Sequence, residues 1–381
     1  MTSVTSRTPG VIAVPGASDA LSARLAEGLE SVERVIVERT RHEDDFITEA
    51  NLHLAQAGGK RFRPMLTMLV AELGEGINDE VVAAAAGVEL THLASLYHDD
   101  VMDEAEIRRG APSANAKYDN STAILVGDLL FGSASDIIAD LGPEAVKIQA
   151  QTFIRLCAGQ IRDDRPCPEG KDAREYYRSV LADKTGVLVA TAARYGAMFG
   201  GCSPEVVAIA TEYGERLGVA FQLADDLIDI ASLSGETGKT PGTDLREGKR
   251  TLPVLNALAS DDPADEELQT LLLSDLRDDA SLGRALELLR PHPAMVAARE
   301  ETLAVAQGAK DVLAPLPDSD AKNRRDRWVG WSSGAFTGSP VRRSTARRPC
   351  SPTPRPGPAG ERRGRPAPAA RSPPGCRSEW C

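Results

Sequence analysis

The chain has 381 residues, a net charge of −12, and 42% hydrophobic but only 4% aromatic residues. An acidic surface repels a phosphate backbone, which excludes general nucleic-acid affinity, so any phosphate-bearing ligand has to be held locally. Ala, Leu and Val predominate over Ile, Phe and Tyr, which favours helix over sheet, and no Gly/Pro-rich linker interrupts residues 21–320, which favours one large domain.

Residues 1–20, rich in Ser, Thr, Pro and Gly, read as a flexible arm. They lack the charged start and continuous apolar core of a signal peptide, and no uninterrupted apolar run reaches about 18 residues, so a cytoplasmic protein is expected. From Leu21 onward apolar residues recur at three- and four-residue intervals. This predicts helices over 21–40, 43–56, 64–73, 79–104, 113–117, 121–140, 143–163, 173–199, 204–231, 251–259, 265–274, 279–289 and 293–314. No strictly alternating run is long enough to build a sheet, so the expected fold is all-α, a large single-domain bundle. Cys157, Cys167, Cys202, Cys350, Cys376 and Cys381 show no CxxC spacing, which argues against zinc or disulfide roles.

Three groups of residues on this helical frame carry chemistry. GGKRFRP, Gly58 to Pro64, joins two helices; Pro64 suits a first helical position, and a helix N-terminus flanked by Lys60, Arg61 and Arg63 is an anion site by geometry and charge. Asp99, Asp100 and Asp103 in HDDVMDE and Asp225, Asp226 and Asp229 in ADDLIDI repeat one spacing at the ends of strongly apolar helices. Carboxylates four apart project from one helix face about 6 Å from each other. They repel unless a cation joins them, and Mg²⁺, which takes oxygen ligands and completes its shell with substrate phosphates, suits such a cleft. A single such cluster reads most simply as a solvated acidic face; two with the same apolar lead-in point to a metal-bridged diphosphate site.

Donors accompany both clusters. Arg108 and Arg109 follow the first, and Lys184 and Thr185 in ADKTG, Gln222 before the second cluster, and Lys239 and Lys249 in GKTPGTDLREGKRTLP add more. Taken singly each is a plausible surface residue, and Arg108 and Arg109 could merely balance Glu104 and Glu106. His92 lies seven residues before Asp99 and so on the same side of its helix; a core histidine bonded to a carbonyl and a diphosphate donor are both open readings.

Composition changes abruptly near Asn323. Residues 324–381 hold thirteen Arg, no Lys, three acids, ten of the 25 prolines and all three tryptophans. Two readings fit, a disordered Arg/Pro-rich tail able to touch anionic partners and out-of-frame translation of a GC-rich gene; the sharpness of the switch favours the second.

GGKRFRP, HDDVMDEAEIRRG, KT, FQLADDLID and GKTPGTDLREGKRTLP, in this order over 21–323, resemble the motifs of the trans-isoprenyl diphosphate synthases, the polyprenyl synthetase family. The resemblance implies a helical fold around a deep central cavity, usually in a homodimer. It implies a prenyltransferase that condenses isopentenyl diphosphate with an allylic diphosphate. Asp99 and Asp103 would ligate two Mg²⁺ ions and Asp225, assisted by Asp226 and Asp229, a third. Arg108, Lys184, Lys239 and Lys249 would hold the allylic diphosphate, with Gln222 and Thr185 lining the reacting region, and Lys60, Arg63, His92 and Arg109 would hold isopentenyl diphosphate. The catalytic group is thus the six aspartates with Lys184.

Chain length enters through Ala94 and Ser95, five and four residues before Asp99. In this family bulky aromatic residues there stop growth early, so the small pair resembles long-chain synthases. The implied product is a heptaprenyl to decaprenyl diphosphate for quinone side chains, passed on to membrane-bound enzymes, with geranylgeranyl diphosphate as the alternative. A class I terpene cyclase would carry Asn or Asp, then Ser or Thr, then Glu in its second motif, and a non-catalytic partner subunit would typically lose aspartates from one cluster. Neither departure is present.

Overall fold

In the computed structural model, residues 17–232 and 241–317 are described. The expectations for the N-terminal arm, apart from its last four residues, for Lys239 and for the Arg/Pro-rich tail lie outside them. The helices are α1 (Asp19–Arg39), α2 (Asp45–Gln56), α3 (Phe62–Ala71), α4 (Asp79–Met102), α5 (Ala114–Tyr118), α6 (Asn120–Asp140), α7 (Pro143–Asp163), α8 (Ala173–Leu181), α9 (Val187–Phe199), α10 (Pro204–Ala231), α11 (Thr243–Arg246), α12 (Leu252–Leu258), α13 (Glu266–Leu272), α14 (Asp279–Leu289) and α15 (Pro293–Val312). Many of their starts follow from local chemistry, since Ser18, Asp44, Asn78, Asp172, Ser203 and Asp278 each accept a hydrogen bond from a backbone N–H of the first turn.

Four local features depart from the sequence expectations. Helix α3 starts at Phe62, so Pro64 is its third residue rather than its first; a missing N–H is tolerated anywhere in a first turn, whose N–H groups lack intrahelical partners. Ile107–Arg108 and Ala111–Pro112 form a two-residue antiparallel ladder, with Ile107 opposite Pro112. The expected helix 173–199 is interrupted by a π turn over Ala182–Gly186. The short helix α11 stands where the sequence offers only a loop-like GTDLREG.

Helix α4 lies deep in the molecule, packed against α1, α3, α6 and α9. Its run of alanine, valine and leucine buries residues on nearly every face, as a helix apolar all round must. Tyr97 OH donates to the carbonyl of Ala50 and accepts from the amide of Leu54, tying α2 to α4. Helix α10 packs against α9 and α15. A second apolar cluster joins α11, α12, α13 and α14 around Leu245, Val254, Leu268 and Leu286. Both aspartate clusters therefore sit at the C-terminal ends of long helices anchored in the core. Helix α6 is the one described helix long and apolar enough by length and composition to cross a membrane; Leu125 is 62% exposed on it.

Candidate active site

Helix geometry sorts each aspartate cluster into outward and inward members. Successive residues turn by about 100°, so Asp99 and Asp225 are only partly covered while Asp100 and Asp226 are buried. Asp100 accepts Arg108 Nε at 2.5 Å and the amide of Ala114 at 3.4 Å. Asp226 accepts hydrogen bonds from Gln222 Nε2 at 3.0 Å and from the Tyr177 hydroxyl. The middle aspartates are thus engaged by the protein itself. Asp229 accepts the amides of Thr243 at 3.2 Å and Asp244 at 3.1 Å, fixing the start of α11 against the end of α10.

Burial raises the pKa of several of these carboxyls. Burial, reinforced by Asp103 and Asp100, pushes the Asp99 carboxyl up to about 6, and burial with Asp229 nearby raises Asp244 to about 6. Asp226 reaches about 8 through burial and the charge of Asp244, against the lowering effect of its Tyr177 and Gln222 hydrogen bonds. The C-terminal end of a helix carries a partial negative charge of its own. Among the described residues no three His, Cys, Asp or Glu side chains converge into a metal cage.

Cations stand between the clusters. Lys184, in the π turn, lies close enough to Asp99 and Asp103 to act on both, and Lys249 acts on Asp103 and Asp244. Each has a carboxylate of its own: Lys184 Nζ lies 2.7 Å from Asp163 and Lys249 Nζ 2.8 Å from Glu247. Arg108 bridges Asp100 and, at 3.8 Å, Asp103, so its partners are the cluster itself rather than Glu104 and Glu106. Thr185 Oγ1 donates to Gln222 Oε1 at 3.1 Å. A recess of about 450 Å³ runs beside this group, its wall including Tyr177, Lys184, Gln222, Asp226, Asp244 and Lys249.

A second basic group gathers where α3 begins. Arg61 has a left-handed backbone, φ 47°, and a buried side chain. It donates to Glu33, to Glu89 at 3.2 Å and to the carbonyl of Ala55 at 2.8 Å, so this arginine of the expected anion site braces the loop from within. Arg109 donates to the carbonyls of Leu54, at 2.9 Å, and Gly58. Gly59, at φ 144°, leaves room for it: a Cβ there would fall 2.9 Å from the guanidinium carbon. Arg63 has a buried Nε without a partner, and burial together with Arg109 lowers its pKa to about 10. Burial and the arginines hold His92 well below its ordinary value, so it is neutral at physiological pH. Lys60 is exposed at the rim. Phe62 and Phe221, stacked with centroids 5.5 Å apart, connect this group to the base of the second aspartate cluster.

The chain-length pair divides. Ala94 is 1% exposed inside the main core, whereas Ser95 is partly open, its hydroxyl donating to the carbonyl of His92 at 2.8 Å. Sequence reasoning missed Asp163, Tyr177, Asp183 and Glu89; Tyr177, seven residues and two turns before Lys184, was the one with a readable signal.

A helical frame presents two aspartate-bearing helix ends, with lysines and arginines between and beside them, the side-chain chemistry of a protein that handles diphosphates. Residues 44–289 match the polyprenyl synthetase family. Over 315 residues the chain is 47% identical to nonaprenyl diphosphate synthase of Mycobacterium tuberculosis, covering 82% of this chain and 94% of that one. A geranylgeranyl pyrophosphate synthase of Corynebacterium glutamicum, solved with calcium and isoprenyl diphosphate, superposes with a TM-score of 0.75 at 42% identity, covering 84% and 98%. A decaprenyl diphosphate synthase of Rhodobacter capsulatus gives 0.76 at 34%, covering 83% and 98%. The chain belongs to the polyprenyl synthetase family.

Proposed function

We infer that the chain is a prenyltransferase that builds a long-chain all-trans polyprenyl diphosphate, in the heptaprenyl to decaprenyl range, from isopentenyl diphosphate and an allylic diphosphate. The observation that carries this reading is that Lys184 and Lys249, which line one recess together with Asp226 and Asp244, also lie close enough to the first cluster to act on Asp99 and Asp103. The 47% identity to a nonaprenyl synthase supports the long product. A geranylgeranyl product is the second reading, favoured by the Corynebacterium relative.

Asp99 and Asp103 on one side and Asp225 on the other would hold Mg²⁺, three ions in all. Bound there, Mg²⁺ supplies Lewis-acid stabilisation of the charge on departing pyrophosphate. Lys184, Lys249 and Arg108 take the remaining oxygens of the allylic diphosphate, the two lysines exchanging their resting carboxylate partners for phosphate while Arg108 stays braced on Asp100. Lys60, Arg63, Arg109 and neutral His92 hold isopentenyl diphosphate, which has to be gripped by side chains alone. The Phe62–Phe221 stack and the apolar helix faces keep water from the reacting carbons. Asp100, Asp226 and Asp229 act from behind, steering Arg108, Gln222 and α11.

We also assign the exposed apolar residues of α6 and α7 to a homodimer contact. Leu125 and Ile154 are 62% and 68% exposed, and apolar faces of this kind mark association surfaces.

Incorporation of labelled isopentenyl diphosphate tests the reading. Asp99→Ala or Asp225→Ala should lower turnover by several powers of ten, since each removes a ligand from an ion that stabilises the leaving group. Wild-type turnover in either variant would sink the two-cluster assignment.

A further inference from the structure

The π turn over Ala182–Gly186 divides three consecutive side chains between two neighbouring helices. Asp183 and Lys184 both reach α7, Asp183 to Arg155 and Arg162 and Lys184 to Asp163 at its C-terminal end, while Thr185 reaches Gln222 on α10. A π turn is sparse and marginal, and it persists where surrounding structure holds it. Here the hold is specific. Arg155 Nε donates to Asp183 Oδ1 at 2.8 Å and Arg162 donates to Oδ2 at 2.9 Å, so both carboxylate oxygens are taken from two points two turns apart on α7. The outer ends are fixed in turn, Arg155 to Glu215 of α10 at 2.6 Å and Arg162 to the Ser179 hydroxyl. Between the arginines lies Gly159, where a Cβ would fall 2.4 Å from the Lys184 amide nitrogen, so the missing side chain lets α7 lie against the turn.

We propose that Asp183, gripped by Arg155 and Arg162, is a positioning residue that fixes the register of the π turn and thereby aims Lys184 and Thr185 at the allylic diphosphate. This rests on the reading of Lys184 as a ligand of that diphosphate. The arginines are partly exposed, with side-chain values of 43% and 32%, so the ion pairs themselves add little to overall stability. Their effect is on geometry, and loss of a supporting contact of this kind typically weakens a site about 10-fold or more.

Steady-state kinetics of the full chain with each substrate varied separately provide the test. Asp183→Asn should raise KM for the allylic diphosphate about 10-fold and leave KM for isopentenyl diphosphate within about twofold. Asp183→Glu should recover most of the loss, and Gly159→Ala, which pushes the turn from the other side, should reproduce the same asymmetry. Lys184→Ala is the control: an unchanged allylic KM there would remove the reading of Lys184. If Lys184→Ala raises that KM while Asp183→Asn and Arg162→Gln do not, the proposal is overturned and the site reading stands. Equal rises for both substrates, or a loss that Asp183→Glu does not relieve, would reduce Asp183 to a general structural role and also overturn it.

Discussion

At residue scale, Asp226 joins burial to chemistry. Its folded-state pKa of about 8 lies far above the roughly 3.9 of an unfolded aspartate. Between those values the folded chain binds the extra proton, so stability falls as pH rises toward and through 8, by up to about 1.4 kcal/mol per pH unit. His92 contributes with the opposite sign only below about 6.5, where the unfolded chain protonates it and the folded one does not. Asp99 and Asp244, at about 6, add a slope of the same sign up to about pH 7, so the window in which Asp226 dominates is pH 7 to 8.5. Thermal unfolding in chelator should show Tm declining across it by a few degrees, at roughly 2–4 °C per kcal/mol, and Asp226→Asn should flatten that slope. An equal slope in the variant would show that Asp226 is not the group responsible. The spacing of the two clusters made these carboxylates legible in the sequence. What the inward members meet was not, because Tyr177 and Arg108 are brought to Asp226 and Asp100 by other parts of the chain.

At the scale of elements, helix boundaries were readable where a cap marks them at Asn78 and Ser203, whereas Ser18 caps α1 at Asp19, two residues inside the stretch read as a flexible arm. The π turn was not readable, because Gly186, the weakest helix former of ADKTG, does not by itself call for one; the contacts that hold Asp183 come from α7, far off in sequence. Likewise Arg61 reads as one more cation of a basic loop, whereas Glu33 and Glu89 of α1 and α4 turn it inward. The face of α4 makes a further distinction. Ser95→Phe should shorten the product while preserving turnover, since Ser95 is partly open. Ala94→Phe, forced into a closed core, should instead destabilise the fold by about 1–3 kcal/mol. Product sizing and thermal unfolding of both variants check this; a shortened product from Ala94→Phe with unchanged Tm would place Ala94 on the pocket wall.

At the scale of the whole molecule, a chain of net charge −12 still presents local groups of cations, one along the recess at Lys184 and Lys249 and one where α3 begins, and local charge of this kind is what an anionic substrate meets. The apolar face of α6 and α7 gives the second whole-molecule expectation. Leu125→Asp should convert a dimer to monomer in analytical ultracentrifugation, and an unchanged mass would move the contact to another surface. The central claim, that two aspartate clusters across a cationic recess drive repeated chain growth, is tested most directly by sizing the products formed from labelled isopentenyl diphosphate and farnesyl diphosphate with and without Mg²⁺. The account predicts all-trans products of heptaprenyl to decaprenyl length, formed only with the metal. Chain growth undiminished in chelator, or no growth beyond the primer with Mg²⁺ present, would contradict it.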